Sequence, residues 1–366
     1  MRNMKQWICK TAALLLAAVF LLPVKVQALS ARRAVVVDGV TGRQLYGLRE
    51  TEQALIASTT KIMTALVVCE QCNVLDTFCV PRQAVGIEGS SMYLQEGERL
   101  SIQELLYGLM LSSGNDAAVA LAIYCGGSVE SFVALMNDKA RALGLTHTHF
   151  ANPNGLDDPQ HYSSAQDLAA LAVYAMKNPI FSKTVSTKTV SAGQRYLTNH
   201  NKLLWRLAGA DGVKTGYTKA AGRTLVSSAV RDGRRLIAVT LDAPNDWQDH
   251  GVLLENGFSK YHLQTIVKKE DPIVTIPVLG GSGNVTLHSD ADFSYPLSSE
   301  DVPQVQLSGM GFAYAPVVKG AQAGTAYVLL EGKVIGKIPL VYGQTVEQTP
   351  QSKRFYWQEY KSPRSP

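Results

Sequence analysis

Short apolar runs and glycine-bearing turns open the chain. Ala34-Val35-Val36-Val37 and Gln44-Leu45-Tyr46 flank Asp38-Gly39-Val40-Thr41-Gly42, which predicts two strands around a turn. From Lys61 to Glu70 apolar residues occupy every face, as in a buried helix. Ser101-Ile102-Gln103-Glu104 reads as a capping box, with Ser101 as N-cap and Glu104 at the third position, opening an apolar helix through Met110. Asp116 to Tyr124 is Ala-rich and helical up to Gly126-Gly127, and Ser131 to Leu143 is amphipathic and stops at Gly144. Gly222 to Val230 and Arg235 to Leu241 alternate as strands, joined by a hairpin with Asp232-Gly233 at its tip.

After Gly257 the helical period disappears and Gly and Pro become frequent. Ile273 to Val278, Asn284 to His288, Ala315 to Val318, Tyr327 to Leu330 and Val334 to Val341 are the strand candidates, with Glu331-Gly332 turning the last pair. The pattern predicts an α/β (α+β) domain over 29–257, a linker near Lys260, and a small all-β sandwich over 258–346. Residues 347–366 form a polar, Pro-bounded tail, read as unstructured from Gln348 onward.

Composition changes this picture at one end. Hydrophobic residues make up 46% and charged residues 18%, which excludes a largely disordered chain. The net charge of +5 is concentrated in the first 28 residues, where Arg2, Lys5, Lys10 and Lys25 face no acidic residue. What is left is nearly neutral, so nucleic acid is not an expected partner. The same stretch has a basic start, an apolar run from Thr11 to Leu22, and Val26-Gln27-Ala28 where a signal peptidase cuts. The expectation is a signal peptide over 1–28, cleaved after Ala28, and an exported protein. Four cysteines then remain: Cys69, Cys72, Cys79 and Cys125. Cys69 and Cys72 form a C-x-x-C, but no second such pair or His pair accompanies them. Buried thiols, or one disulfide outside the cell, are the simpler account.

Three short motifs carry the chemistry. Ser58-Thr59-Thr60-Lys61 is S-x-x-K at a helix start, Ser113-Gly114-Asn115 is S-x-N between two helices, and Lys214-Thr215-Gly216 is K-T-G on a strand. Positions i and i+3 share a helix face, so the Ser58 hydroxyl and the Lys61 amine can meet. A serine needs a base to become a nucleophile, and no histidine stands in a motif. A lysine serves only if burial and a nearby positive charge lower its pKa, and Lys214 is the candidate charge. The Ser58 amide, near a helix N-terminus, is a ready donor to an oxyanion. Lys214 and Thr215 can receive a carboxylate.

The chain resembles the serine D-alanyl-D-alanine carboxypeptidases among the low-molecular-mass penicillin-binding proteins. Ile56 to Ala65, Gly89-Ser90-Ser91-Met92, Leu111 to Ala117, His149 to Leu156 and Asp211 to Thr218 all match that pattern. The resemblance implies a penicillin-binding-protein/β-lactamase-like catalytic domain followed by a β-rich second domain. It implies peptidoglycan stem peptides ending in D-Ala-D-Ala as substrate, β-lactams as inhibitors, and no metal or organic cofactor. In its roles Ser58 is the acyl-ester nucleophile, Lys61 the proton acceptor and Ser113 a proton relay shared with Lys214. Asn115, Lys214, Thr215 and Gly216 bind substrate, and the amides of Ser58 and Tyr217 form the oxyanion hole.

Other polar residues are expected to stand outside the site. His149, His161 and His200 read as structural or surface residues, and Asp157-Asp158 as a solvated loop. Arg223 fits a carboxylate-steering role and a surface strand position equally well. Asn199 to Trp205 matches the family only loosely and is left out of the site. Among rivals, a class A β-lactamase needs an E-x-x-L-N run, absent between Asn115 and Lys214. A non-catalytic cell-wall binder would have no use for the nucleophile and its base. A DD-transpeptidase differs only in using an amine acceptor, which motifs do not reveal. The tail carries Phe355, Tyr356, Trp357 and Tyr360 with four basic residues against Glu359, which fits at most weak peripheral membrane contact.

Overall fold

The computed structural model describes residues 28–309 and 311–350. The segment read as a signal peptide, up to Gln27, and the aromatic tail from Gln351 lie outside the described residues.

The first domain is built on an antiparallel five-stranded sheet. Strands β1 (Arg33–Asp38) and β2 (Gln44–Leu48) form its opening hairpin. Helix α1 (Lys61–Gln71) follows, then the short pair β3 (Thr77–Cys79) and β4 (Arg99–Ser101). Helices α2 (Ile102–Leu111), α3 (Asn115–Gly126), α4 (Val129–Ala142), α5 (Ala165–Ala175) and α6 (Pro179–Ser186) come next. The hairpin β5 (Thr189–Ala192) and β6 (Arg195–Thr198) leads to the single turn α7 (Leu203–Arg206). Strands β7 (Ala210–Thr218), β8 (Gly222–Arg231) and β9 (Arg234–Leu241) complete the sheet in the order β2-β1-β9-β8-β7, and α8 (Asp246–Lys260) closes the domain.

The unbroken apolar run in β1 follows from burial on both faces. Val35 and Val37 point into the large helical core with Leu66, Leu105 and Phe181, while Ala34 and Val36 point the other way onto Leu253 and Leu254 of α8. The sheet is therefore sandwiched, with α8 covering its second face. The capping box forms as the spacing predicts: Glu104 N donates to Ser101 Oγ, and Ser101 N donates back to Glu104 Oε2 at 2.8 Å. At the β8–β9 tip Asp232 and Gly233 have φ of 49° and 75°, the conformation a tight two-residue hairpin demands.

Beyond Lys260 stand β10 (His262–Val267), β11 (Pro272–Leu279), β12 (Asn284–Ser289), β13 (Phe293–Leu297), β14 (Gln304–Ser308), β15 (Ala313–Tyr314), β16 (Gln322–Leu330) and β17 (Lys333–Tyr342). Six form one sheet in the order β14-β16-β17-β12-β11-β15, and β10 pairs with β13. Ile266 and Phe293 of the smaller sheet pack on the core of the larger, which makes the β-sandwich. The expected strand over 315–318 is displaced: pairing ends at Tyr314, and past Pro316, which has no N–H to donate, only Val317 bridges, to Val346. Gln348 and Thr349 are likewise ordered, through a bridge to Gly281 and a hydrogen bond to Gly280 O. Helix α8 runs past 257 to Lys260 and enters β10 directly. Arg43 from the β1–β2 turn docks the domains, pairing with Asp301 Oδ1 at 2.7 Å and lying over Tyr261 and Tyr295. Burial would raise the Asp301 pKa, but the Arg43 and Ser298 hydrogen bonds hold it down at about 2.

Candidate functional site

Ser58 lies in a 3-10 turn, Ala57–Thr60, that feeds straight into α1. Ala57 is left-handed at φ 47°, an uncommon state for a residue with a Cβ, and hydroxyls hold the turn's carbonyls in place. Ile56 O accepts from Thr59 Oγ1 at 2.6 Å and from Thr224 Oγ1 of β8 at 3.1 Å. Ala57 O accepts from Thr60 Oγ1 at 2.8 Å. That hydroxyl is also 2.7 Å from His161 Nε2, while His161 Nδ1 accepts from Ala151 N. The tautomer follows: Nδ1 is the acceptor, so Nε2 carries the proton and donates to Thr60. Burial pushes the His161 pKa down to about 4, so the ring is neutral.

Lys61 is fully buried at the first position of α1. Its Nζ lies 2.9 Å from Ser58 Oγ, 2.7 Å from Asn115 Oδ1 and 2.5 Å from Asn154 O. Asn115 donates through Nδ2 to Glu88 O, which fixes its oxygen toward the amine. Burial first, and the Lys214 charge second, drive the Lys61 pKa well below the ordinary lysine value, with Asp116 opposing. Asn154 presents its carbonyl from a turn laced by asparagines: Gly155 N donates to Asn152 Oδ1, and Leu156 N to Asn154 Oδ1. Gly155 is required there, with φ at 89° and a hypothetical Cβ only 2.0 Å from Ala57 O. Asn154 was missed as a site residue because its contribution is a backbone oxygen; the Asn-Pro-Asn-Gly turn was its only signal.

The second motif sits between α2 and α3. Ser113 is left-handed at φ 60°, and Asn115 begins α3. Buried Asp116 anchors the facing loop, accepting from Ser91 Oγ and from the amides of Met92 and Leu94. The third motif lies on the edge strand β7. Gly216 lets this strand approach the nucleophile turn, since a Cβ there would stand 2.4 Å from Thr224 Oγ1 and 2.9 Å from Ser58 N. Lys214 is buried, donates to Thr215 O at 2.8 Å, and burial lowers its pKa to about 7.

Together Ser58, Ser113, Thr215, Gly216 and Tyr217 line a cleft of about 830 Å³. The rest of its wall corrects one expectation and bears on another that was left open. Asn199, His200, Lys202 and Trp205, left out above, line it together with Arg206, because the chain between β6 and β7 runs along the cleft. Arg223 also lines it; strand register sets it opposite Tyr217, and Asp246 Oδ1 holds it at 2.9 Å. His161, expected away from Ser58, braces its turn from behind, whereas His149 is half-buried and lies against Gln160 O. Asp157 accepts from Thr218 Oγ1 at 2.8 Å, which ties that loop to β7. Among the described residues no carboxylate lines the cleft, so its Lys and Arg side chains favour an anionic ligand. Among the described residues no three His, Cys, Asp or Glu side chains converge as metal ligands would.

A serine hydroxyl set against a buried, charge-depressed amine, with a K-T-G strand beside it, defines an active-serine enzyme of the penicillin-binding-protein/β-lactamase fold. Residues 22–245 match the family described as D-alanyl-D-alanine carboxypeptidase, and 261–348 match the C-terminal domain of penicillin-binding protein 5. The chain belongs to the D-alanyl-D-alanine carboxypeptidase family and is an enzyme of that class. The carboxypeptidase DacF of Bacillus subtilis is 33% identical over 85% of this chain and 84% of its own. DacC of Escherichia coli is 34% identical over 89% and 86%. Penicillin binding protein 5 from Haemophilus influenzae has the same architecture, with a TM-score of 0.72 at 30% identity, covering 89% of this chain and all (100%) of that one. A variant of the Streptomyces K15 DD-transpeptidase has a TM-score of 0.62 at 33% identity, over 64% of this chain and 99% of its own.

Proposed function

We propose that the enzyme removes the terminal D-alanine from peptidoglycan pentapeptide stems through an ester on Ser58. Ser58 Oγ attacks the carbonyl between the two terminal D-alanines as neutral Lys61 takes its proton. The observation that carries this reading is the Lys61 environment. A neutral amine has two N–H bonds and one lone pair. Donation to Asn115 Oδ1 and Asn154 O leaves the lone pair for the Ser58 hydroxyl. Oxyanion charge develops against the amides of Ser58 and Tyr217. Ser113, with Lys214, passes a proton to the departing amine as the C–N bond breaks. Lys214 and Thr215 receive the terminal carboxylate, which restores to Lys214 the charge that burial weakens; Asn115 also contacts the acyl side chain. Water then takes the place of the amine, again with Lys61 as base, and frees the shortened stem. β-Lactams present the same carbonyl with a tethered leaving group, so they remain on Ser58.

The N-terminal segment supports export with cleavage after Ala28, and action on the outer side of the cytoplasmic membrane in cell-wall maturation and cell shape. Among the described residues no single helix is long and apolar enough to cross a membrane. The aromatic, basic tail supports at most weak, salt-sensitive contact with anionic lipid. One assay tests the reaction: D-alanine release from a pentapeptide stem, with and without an added amine. Release without acceptor is the expected result, and acceptor-dependent turnover alone would make the enzyme a transpeptidase. Labelled penicillin should attach to Ser58 and fail to attach to Ser58→Ala.

A further inference from the structure

Arg223 stands on β8, the strand that pairs with the K-T-G strand. Residues directly opposite in an antiparallel pair share a face, so Arg223 and Tyr217 point the same way, with Thr215 next along β7 on that face. All three line the cleft. The arginine is held from behind. Buried Asp246, at the start of α8, accepts from its Nε at 2.9 Å, and the guanidinium lies over the Trp247 ring, 5.6 Å from the centroid. Asp246 Oδ1 also accepts from Trp247 N, which sets carboxylate and ring together. Among the described residues neither Nη of Arg223 has a hydrogen-bond partner. Its side chain is 39% exposed against 2% for Asp246, so the negative partner is sealed and the positive end is open to the cleft. The other cations are placed differently. Lys214 is buried with its Nζ turned to Thr215 O, and Lys202 and Arg206 are exposed on the segment that carries α7.

We infer that Arg223 is a specificity-determining residue, whose two free Nη groups take the carboxylate at the end of the substrate beside Thr215. A guanidinium fixed at Nε still presents one N–H from each Nη as a fork, which matches the two oxygens of a carboxylate. Lys214 adds its charge from behind the strand, while Arg223 makes the direct contact from the cleft side. Asp246 and Trp247 act through Arg223 as positioning residues. A chain end supplies both oxygens and the negative charge; an amidated or continued chain supplies one oxygen and no charge. The site should therefore favour a stem that ends in a free D-alanine over one whose D-alanine is amidated or extended. This inference rests on the acylation of Ser58 and adds the group that selects what is acylated.

The test times acyl-enzyme formation on the purified chain from residue 29 to 366, by intact mass, with two probes that differ at one group. One is penicillin with its free carboxylate, and the other is the same penicillin as its carboxamide. Arg223→Gln should lower the second-order acylation rate for the carboxylate by about 30-fold and the carboxamide rate by less than about 3-fold. Arg223→Lys keeps the charge without the fork and should recover part of the carboxylate rate. Loss of the arginine leaves buried Asp246 without its cation, so the double variant Arg223→Gln with Asp246→Asn guards against misfolding and should show the same selective loss. Equal losses on both probes, or an unchanged carboxylate rate, would overturn the proposal. Failure of the Ser58 reading shows differently, as no acylation of the parent by either probe, and would take this inference with it.

Discussion

Replacing His161 should destabilise the protein at neutral pH and leave it no worse than the parent in acid. The ring is buried and neutral, accepting from Ala151 N and donating to Thr60 Oγ1, which in turn holds the carbonyl of the left-handed Ala57. His161→Leu removes both partners and strands the Ala151 N–H and one Thr60 lone pair, at about 2–4 kcal/mol in total. The parent carries an opposite liability. Its His161 titrates at about 4 in the folded state against an ordinary 6.5, so the unfolded chain binds the extra proton first as pH falls. Stability from this group is complete above 6.5 and is lost down to about 4, and integration gives about 3 kcal/mol. The variant lacks this loss. Its deficit at pH 7 should therefore shrink through pH 5.5 and nearly vanish at pH 4, measured by urea unfolding at each pH. Buried His250 is present in both proteins and cancels in the difference. His161→Gln, which keeps one donor and one acceptor, should recover part of the neutral-pH stability and of the penicillin acylation rate. A deficit independent of pH would refute the tautomer assignment and the neutral state of the ring.

The lysines should differ in what they tolerate. Lys61→Arg cannot lose a proton, so acylation by penicillin should fall by at least about 1000-fold, while Lys214→Arg keeps a positive charge and should retain more; equal losses would contradict the division of roles. In the parent, kcat/KM for a carboxylate-bearing substrate should fall above about pH 7 as Lys214 deprotonates in the free enzyme, and Lys214→Arg should abolish that alkaline limb in a pH–rate profile. Gly216→Ala should lower acylation by about 100-fold with little change in melting temperature, because the new Cβ pushes β7 away from the Ser58 amide. Ending the chain at Pro350 should abolish any low-salt sedimentation with anionic vesicles and leave D-alanine release unchanged, since Gln348 and Thr349, which close on Gly280 and Gly281, are kept.

What the sequence revealed and what it hid divide along a physical line. Serine and lysine three apart at a helix start must share a face, so the Ser58–Lys61 contact was legible from spacing alone, as were the capping box at Ser101 and the Asp232-Gly233 turn. Each is a local rule acting within one turn of chain. The same holds for S-x-N, whose serine needs the turn between two helices. Long-range placement was not legible. Nothing near His161 in the sequence says that its ring will lie behind Thr60, because a packing of distant segments creates that contact. Asn154 works through a carbonyl, which every residue possesses, so no side-chain pattern could single it out. The cleft wall from Asn199 to Arg206 escaped for a related reason: its single helical turn and exposed Trp205 carry no period, and its role arises from the path between β6 and β7. In the second domain the strands missed were β10, β13 and β14. β14 is exposed along its whole length and β10 along most of it, so no alternation marks them. β13 is different, with three consecutive buried residues where a strand covered on one face would alternate. Periodicity reports the side a segment buries, and motifs report the chemistry within one turn. The depressed pKa that a lysine base requires reaches Lys61 only through burial and neighbours supplied by the rest of the fold.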